Sequence, residues 1–395
     1  MTKGWFELAL RRAAALVTAV LLPLSAAACT TATGATNAGD LVIAADLELS
    51  GAYADVGIAY QRALQLKVEE VNAAGGVRGH RLRLDVRDNR SDPTVSVTDV
   101  SAFVDEPGLA AVITGWSGEC LLAVAKTLND KGVPTVSLAP ASEVVRPVAS
   151  RRYIFKVGPN SDDGAAVLAG ELTGDKMASV AMVATNDASG NDALQALSRA
   201  MDKAGVAVID TEQFQATDTD LNQPVRSAIA KHPEALVISA FSARALAAAR
   251  SARTAGYDGR IYFDQSGAGE LFLTGMGMQQ TNGIAMVGTQ SMVIDDVIAT
   301  TPAKVARRQW FNDYTAKYGN FSEYSTYAAD AVQVVETALL NTDEGADHAT
   351  VRDAIETVQF DGLAGEIHMT PENHSGLTPQ ALTVLVARGD RWRPA

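Results

Sequence analysis

The chain has 395 residues, 47% apolar and 20% charged, which excludes a disordered chain and is too long for one ordinary core. Against 33 basic residues stand 46 acidic ones, a formal net charge of −13, so the basic face that nucleic acid requires is not supplied. Two cysteines allow at most one disulfide; that excludes a disulfide-built scaffold and leaves an acidic, soluble, two-lobed α/β protein.

Residues 1–28 read as an export signal. Lys3, Arg11 and Arg12 form a basic start, and Ala13–Leu24 is an apolar run well short of the about 20 residues a membrane span needs. Ser25-Ala26-Ala27-Ala28 supplies small residues for processing, and Cys29 follows at once. The arrangement resembles a bacterial lipobox, in which that cysteine is acylated and becomes the first residue. Ala26 departs from it, where lipoproteins usually carry Leu. The other reading is ordinary secretion with cleavage beside Cys29. Lys3, Arg11 and Arg12 against Glu7 carry +2, so the processed chain carries −15. Residues 29–39 read as a flexible tether of Thr, Ala, Gly and Asn after the cysteine. An acylated Cys29 leaves Cys120 unpaired and reduced.

Leu41–Ala45 is a short apolar strand, followed by the Ser50-Gly51 loop and an amphipathic helix over Gly57–Ala73 with Tyr60, Ala63, Leu64, Val68 and Val71 on one face. Gly75-Gly76 ends it. Leu82, Leu84 and Val86 alternate with Arg81, Arg83, Asp85 and Arg87, a strand with one wet face. Asp92-Pro93 opens the next helix. Strands at Ala110–Ile113 and Val133–Leu138 bracket a helix over Glu119–Asp130. The alternation repeats after residue 158, with strands at Ser179–Ala184, Val206–Ile209, Ala235–Ser239, Arg260–Phe263 and Gly283–Val287. Helices fall between them at Asp163–Leu172, Asn191–Ala204, Leu221–Lys231 and Ser242–Ala255. Residues 302–340 are again helical, and Gly365–Trp392 reads as strands and turns. Two runs of alternating strands and helices predict two parallel sheets of right-handed βαβ units.

Leu49-Ser50-Gly51, the run from Val71 through Asn72-Ala73-Ala74-Gly75-Gly76-Val77-Arg78 to Gly79, and Asp88-Asn89-Arg90-Ser91-Asp92-Pro93 resemble the opening of type I periplasmic binding proteins, and within them the leucine/isoleucine/valine-binding group. Gly132-Val133-Pro134, Tyr153-Ile154-Phe155-Lys156, Ala204-Gly205-Val206 and Ala252–Tyr257 extend the resemblance, which covers residues 40–340. It implies an α/β fold of two Rossmann-like lobes with parallel sheets joined by three crossovers, near Val157–Asn160, Val287–Ser291 and Asn341–Asp347. The lobes expected are 40–157 plus 288–343 and 158–287 plus 344–395. A small ligand then sits in the cleft, beside loops that follow the C-terminal strand ends.

The first such loop is Gly115-Trp116-Ser117-Gly118, similar to the family's serine-containing carboxylate loop, where helix N–H groups suit an anion. The second is Ser137–Ser142, whose hydroxyl maps to either Ala141 or Ser142, with Ser142 preferred as the donor. Ser189 stands where relatives carry a tyrosine that covers the ligand. In the later loop, Asp264-Gln265-Ser266-Gly267, Ser266 takes the place of the acid that pairs a ligand ammonium, and Asp264 serves only if the register shifts by two. Tyr53, Phe241 and Tyr324 are further candidates. For Trp116 the alternative is packing between the lobes, and for Ser117 an N-cap role. Cys120 is either a thiol whose pKa the helix start lowers or a buried small hydrophobe.

The five histidines lack metal spacing, and His368 and His374 are expected in solvent. No H-E-x-x-H, G-x-S-x-G or phosphate-loop motif occurs, so neither an enzyme nor a cofactor is expected. The resemblance implies a monomeric, lipid-anchored, extracytoplasmic protein handing a small ligand to the permease of an ABC importer. The ligand classes left open are branched-chain or related amino acids, keto acids, aromatic carboxylates, amides and urea. A sensing subunit of the same fold and, last, an exported enzyme are the alternatives.

Overall fold

A computed structural model of the chain describes residues 39–270, 273 and 276–395. The export signal, Cys29 and residues 30–38 of the tether lie outside these residues. Up to Lys156 the elements alternate as β1 (Leu41–Leu47), α1 (Ala54–Ala73), β2 (Leu82–Asp88), α2 (Pro93–Phe103), β3 (Leu109–Thr114), α3 (Gly118–Lys131), β4 (Thr135–Ser137) and β5 (Ile154–Lys156). The five strands make one parallel sheet in the order β2-β1-β3-β4-β5. Central β1 and β3 are apolar almost throughout because helices cover both faces, whereas edge strand β2 keeps its alternating Arg83, Asp85 and Arg87. The end signals act as expected: Asp92 accepts from Thr94 N ahead of Pro93, and Gly132 ends α3 at φ 66°.

The second run is α4 (Ser161–Gly174), β6 (Ser179–Thr185), α5 (Ala188–Ala204), β7 (Ala207–Phe214), α6 (Asn222–Ile229), β8 (Ala235–Ser239), α7 (Ser242–Thr254), β9 (Arg260–Phe263), the single turn α8 (Met278–Thr281) and β10 (Ile284–Thr289). After them come α9 (Pro302–Tyr318), α10 (Tyr324–Leu340), α11 (His348–Ile355), the small hairpin β11 (Gln359–Asp361) and β12 (Glu366–His368), then β13 (Leu382–Arg388) and β14 (Arg391–Pro394). The second sheet runs β14-β13-β10-β9-β8-β6-β7. It is parallel except for β13 and β14, which add an antiparallel edge. Both sheets belong to one compact unit. This is the type I periplasmic binding protein fold. No described helix is long and apolar enough to cross a membrane.

Three differences from the sequence reading have physical causes. Strand β5 is only three residues long, too short to show a period, yet it closes one edge of the first sheet. His374 is buried rather than solvated. Its ring stacks on Phe155 with centroids 4.2 Å apart, Nδ1 lies 2.9 Å from Ile154 O, and Nε2 lies 3.2 Å from Glu356 Oε1. The third crossing also moves along the chain. His348 Nε2 lies 2.7 Å from Leu109 O, and Lys156 N donates to His374 O at 2.8 Å. Residues 348–376 therefore hold to the first sheet, and the chain joins the second only at β13.

Candidate functional site

Strand β3 ends at Thr114, and Gly115-Trp116-Ser117 turns the chain into α3. Ser117 adopts an extended backbone, and its Oγ accepts from Cys120 N at 3.2 Å, so the serine is the N-cap. In the second lobe β6 ends at Thr185, and Asp187 Oδ1 caps α5 by accepting from Gly190 N at 2.7 Å. The two helix starts meet. A Cβ built on Gly118 would lie 3.0 Å from Ala188 Cβ, so glycine at 118 is what lets them approach this closely.

Polar contacts bridge the lobes around this meeting point. Tyr53 donates its phenol to Asp187 Oδ2 at 2.8 Å, and Ala188 N donates to Glu119 Oε1 at 2.6 Å. Asp192 Oδ2 receives Ser142 N at 3.0 Å, Ser142 Oγ at 2.9 Å and Ser161 Oγ at 2.7 Å. Tyr324, the first residue of α10, donates to Ser266 O at 2.8 Å and accepts from Ser242 N at 3.0 Å. Aromatic rings fill the space between. Trp116 meets Tyr324 edge-on at 5.4 Å, Tyr60 meets Tyr324 at 6.0 Å, and Tyr53 meets Phe241 at 5.6 Å.

The structure thus brings Tyr53, Trp116, Ser117, Gly118, Ser142, Phe241, Ser266 and Tyr324 into one contact region. Ala141 is buried 3.5 Å from the Cβ position of Gly118, and Ser189 is buried in the first turn of α5. Asp264 and Gln265 are engaged locally. Asp264 accepts from Ser239 Oγ at 2.5 Å and from Ser266 N at 3.0 Å, capping its own turn, and burial pushes its carboxyl up to about 7. Gln265 Oε1 presses against Gly164 and has no hydrogen-bond partner. Cys120 is buried, and the loss of hydration pushes its thiol up to about 12, which identifies it as a small hydrophobe.

Glu48 and Asp192 are the residues that sequence reasoning missed. Glu48 follows β1 and is fully buried. Its Oε2 accepts from Trp116 N at 2.9 Å and its Oε1 from Ser117 N at 3.0 Å. Gly115 leaves the space for it, since a Cβ there would stand 2.1 Å from Glu48 Oε2. Burial pushes the carboxyl up to about 7, against the pull of those two amides. The one available signal was an acid flanked by Leu47 and Leu49 at the C-terminal end of a strand. Lys156, also fully buried, donates Nζ to Pro140 O, Gly158 O and Pro159 O at 3.0, 3.2 and 2.6 Å, pinning the first crossing to the Ser137–Ser142 loop. Burial holds its amine down to about 7. Among the described residues no His, Cys, Asp and Glu group has the geometry to hold a metal.

The fold matches that of known proteins. The periplasmic binding protein family matches residues 41–390. An amino acid binding protein of Pseudomonas aeruginosa is 25% identical over 264 residues, 65% of this chain and 69% of its own length. An extracellular ligand-binding receptor from Rhodopseudomonas palustris HaA2 superposes with a TM-score of 0.82 at 21% identity, over 90% of this chain and 99% of that one. The branched-chain amino acid transporter substrate binding protein LivJ of Streptococcus pneumoniae, solved with isoleucine, superposes with a TM-score of 0.72 at 19% identity, over 89% and 96% of the two chains. With nearly all of its described length matched, this chain belongs to the periplasmic binding protein family.

Proposed function

We propose that the protein is the solute-binding component of an ABC importer for an amino acid or a related small polar molecule, closing its two lobes around the ligand. The observation that carries this reading is the convergence of the α3 and α5 starts, one from each sheet, on a buried aromatic cluster bridged by Tyr53 and Asp187. Loops at the C-terminal ends of parallel strands are where such sheets bind ligands, and paired lobes are built to close by hinge bending. The polar groups named there bind and bridge, with no nucleophile–base pair among them, so binding rather than turnover is the activity proposed. The protein acts as a monomer outside the cytoplasm, held to the membrane through an acylated Cys29.

Three measurements test this reading. A thermal-shift screen of amino acids, their keto acids and their amides should produce a hit, since a ligand at a hundredfold excess over Kd stabilises the folded state by about 2.7 kcal/mol. Solution scattering with that hit should show the lobes closed, and an unchanged radius of gyration between free and bound protein contradicts hinge closure. For the anchor, Cys29→Ala should release the protein from membranes. Continued membrane fractionation contradicts acylation.

A further inference from the structure

The amides of the loop that leads into α3 are a seat for a ligand carboxylate, and here two of them are already taken. Trp116 N and Ser117 N both point at the Glu48 carboxylate, at 2.9 and 3.0 Å, in a space that only glycine at 115 leaves open. The Ser117 hydroxyl accepts from Cys120 N as the cap of α3 and turns its own O–H to Glu119 Oε2 at 3.4 Å. The second expected set of donors, Ser142 N and Oγ, is claimed by Asp192. These two occupations differ in kind. Asp192 belongs to the second lobe and leaves Ser142 when the lobes separate. Glu48 follows β1 directly, and β1 pairs with β3 in the same sheet as the loop Glu48 fills, so separation of the lobes does not release it.

The surrounding charge points the same way. Glu48, Glu119, Asp187 and Asp192 all stand at the meeting of α3 and α5, whereas the buried cation nearby, Lys156, spends its three N–H groups on backbone carbonyls. A ligand carboxylate entering there meets like charge, and the Trp116 and Ser117 amides are closed to it. An N–H donor meets acceptors.

We propose that Glu48 is a specificity-determining residue: it acts as a built-in carboxylate on the α3 loop, excludes carboxylate ligands from that position, and selects a ligand of the amide or amine class. This rests on the binding-protein reading above and deepens it.

The test compares melting temperatures of the native chain, Glu48→Ala and Glu48→Gln, in acetate against chloride at equal ionic strength, and with leucine against leucinamide. Acetate should leave the native chain unmoved and raise Glu48→Ala saturably, because it replaces the missing side-chain carboxylate. Glu48→Gln should stay unmoved, since its carboxamide fills the same space. Leucinamide should shift the native chain more than leucine does, and Glu48→Ala should reverse that order, with leucine gaining about tenfold or more in affinity. A native chain that leucine stabilises more than leucinamide overturns the proposal, as does a folded Glu48→Ala indifferent to acetate. If Glu48→Ala does not fold, the native comparison and Glu48→Gln decide. If neither leucine nor leucinamide shifts any form, the amino-acid-related ligand proposed above fails, while the acetate response still decides the role of Glu48.

Discussion

The phenol of Tyr53, at the start of α1 in the first lobe, donates to Asp187 Oδ2 at the start of α5 in the second, 2.8 Å away. Both burial and the neighbouring Asp187 charge push the phenol up, so it stays protonated and remains the donor at any pH the protein meets. A hydrogen bond to a charged acceptor contributes about 1.5–3 kcal/mol, enough to move a two-state equilibrium by roughly ten- to a hundredfold. Tyr53→Phe keeps the edge contact with Phe241 and removes only the bond. The expected outcome is a larger radius of gyration for the ligand-free variant, with the unfolding midpoint lowered by no more than the loss of that one bond. An unchanged radius contradicts a role for this bond in closure.

Stability should have a minimum near neutral pH. Glu48, Asp264, Glu323 and Asp330 are fully buried, and burial pushes each carboxyl up to about 7 from ordinary values of 4.5 or 3.8. Between those limits the folded chain binds more protons than the unfolded chain, so stability is greatest at the acid end of the window and falls as pH rises to 7. Lys156 acts in the opposite sense. Its folded value near 7 lies below the ordinary 10.5, so the unfolded chain binds more protons from pH 7 to 10.5 and stability recovers with rising pH. Urea unfolding at pH 5, 7 and 9.5 should give its lowest free energy at pH 7, lower than at pH 5 by at least about 1.4 kcal/mol. A steady rise from pH 5 to 7 contradicts it.

Local signals in the sequence reached far. The Gly132 cap of α3, the Asp92-Pro93 start of α2 and the largely apolar β1 and β3 are each decided by neighbours within a few residues. The N-cap alternative for Ser117 was legible for the same reason. Glu48 was not, because its partners lie 68 and 69 residues away and a lone acid between leucines reads as the wet position of an alternating strand. His374 escaped in the same way, since only the packing of a distant turn on Phe155 and Ile154 buries it. The antiparallel edge formed by β13 and β14 depends on where the third crossing falls, which local pattern does not encode.

Cys120 should be chemically silent in the folded protein. It is 2% exposed, and burial pushes its thiol up to about 12, so the thiolate that reacts with alkylating agents is scarce at neutral pH. In a Cys29→Ser background, iodoacetamide should label no thiol under native conditions and Cys120 alone in denaturant. Fast native labelling contradicts the packing described around the first turn of α3.

The most direct measurement is hydrogen exchange of the whole protein with and without a saturating ligand from the screen. Peptides covering 115–121 and 186–192 hold the starts of α3 and α5, one from each lobe. Binding between the lobes predicts that exchange slows in both together. A separate surface groove of about 600 Å³, lined by residues that include Leu41, Gly108, Leu109, Thr342 and His348, lies beside the N-terminal ends of β1 and β3. Protection confined to that groove, or to one of the two helix starts alone, would contradict a ligand held in the cleft.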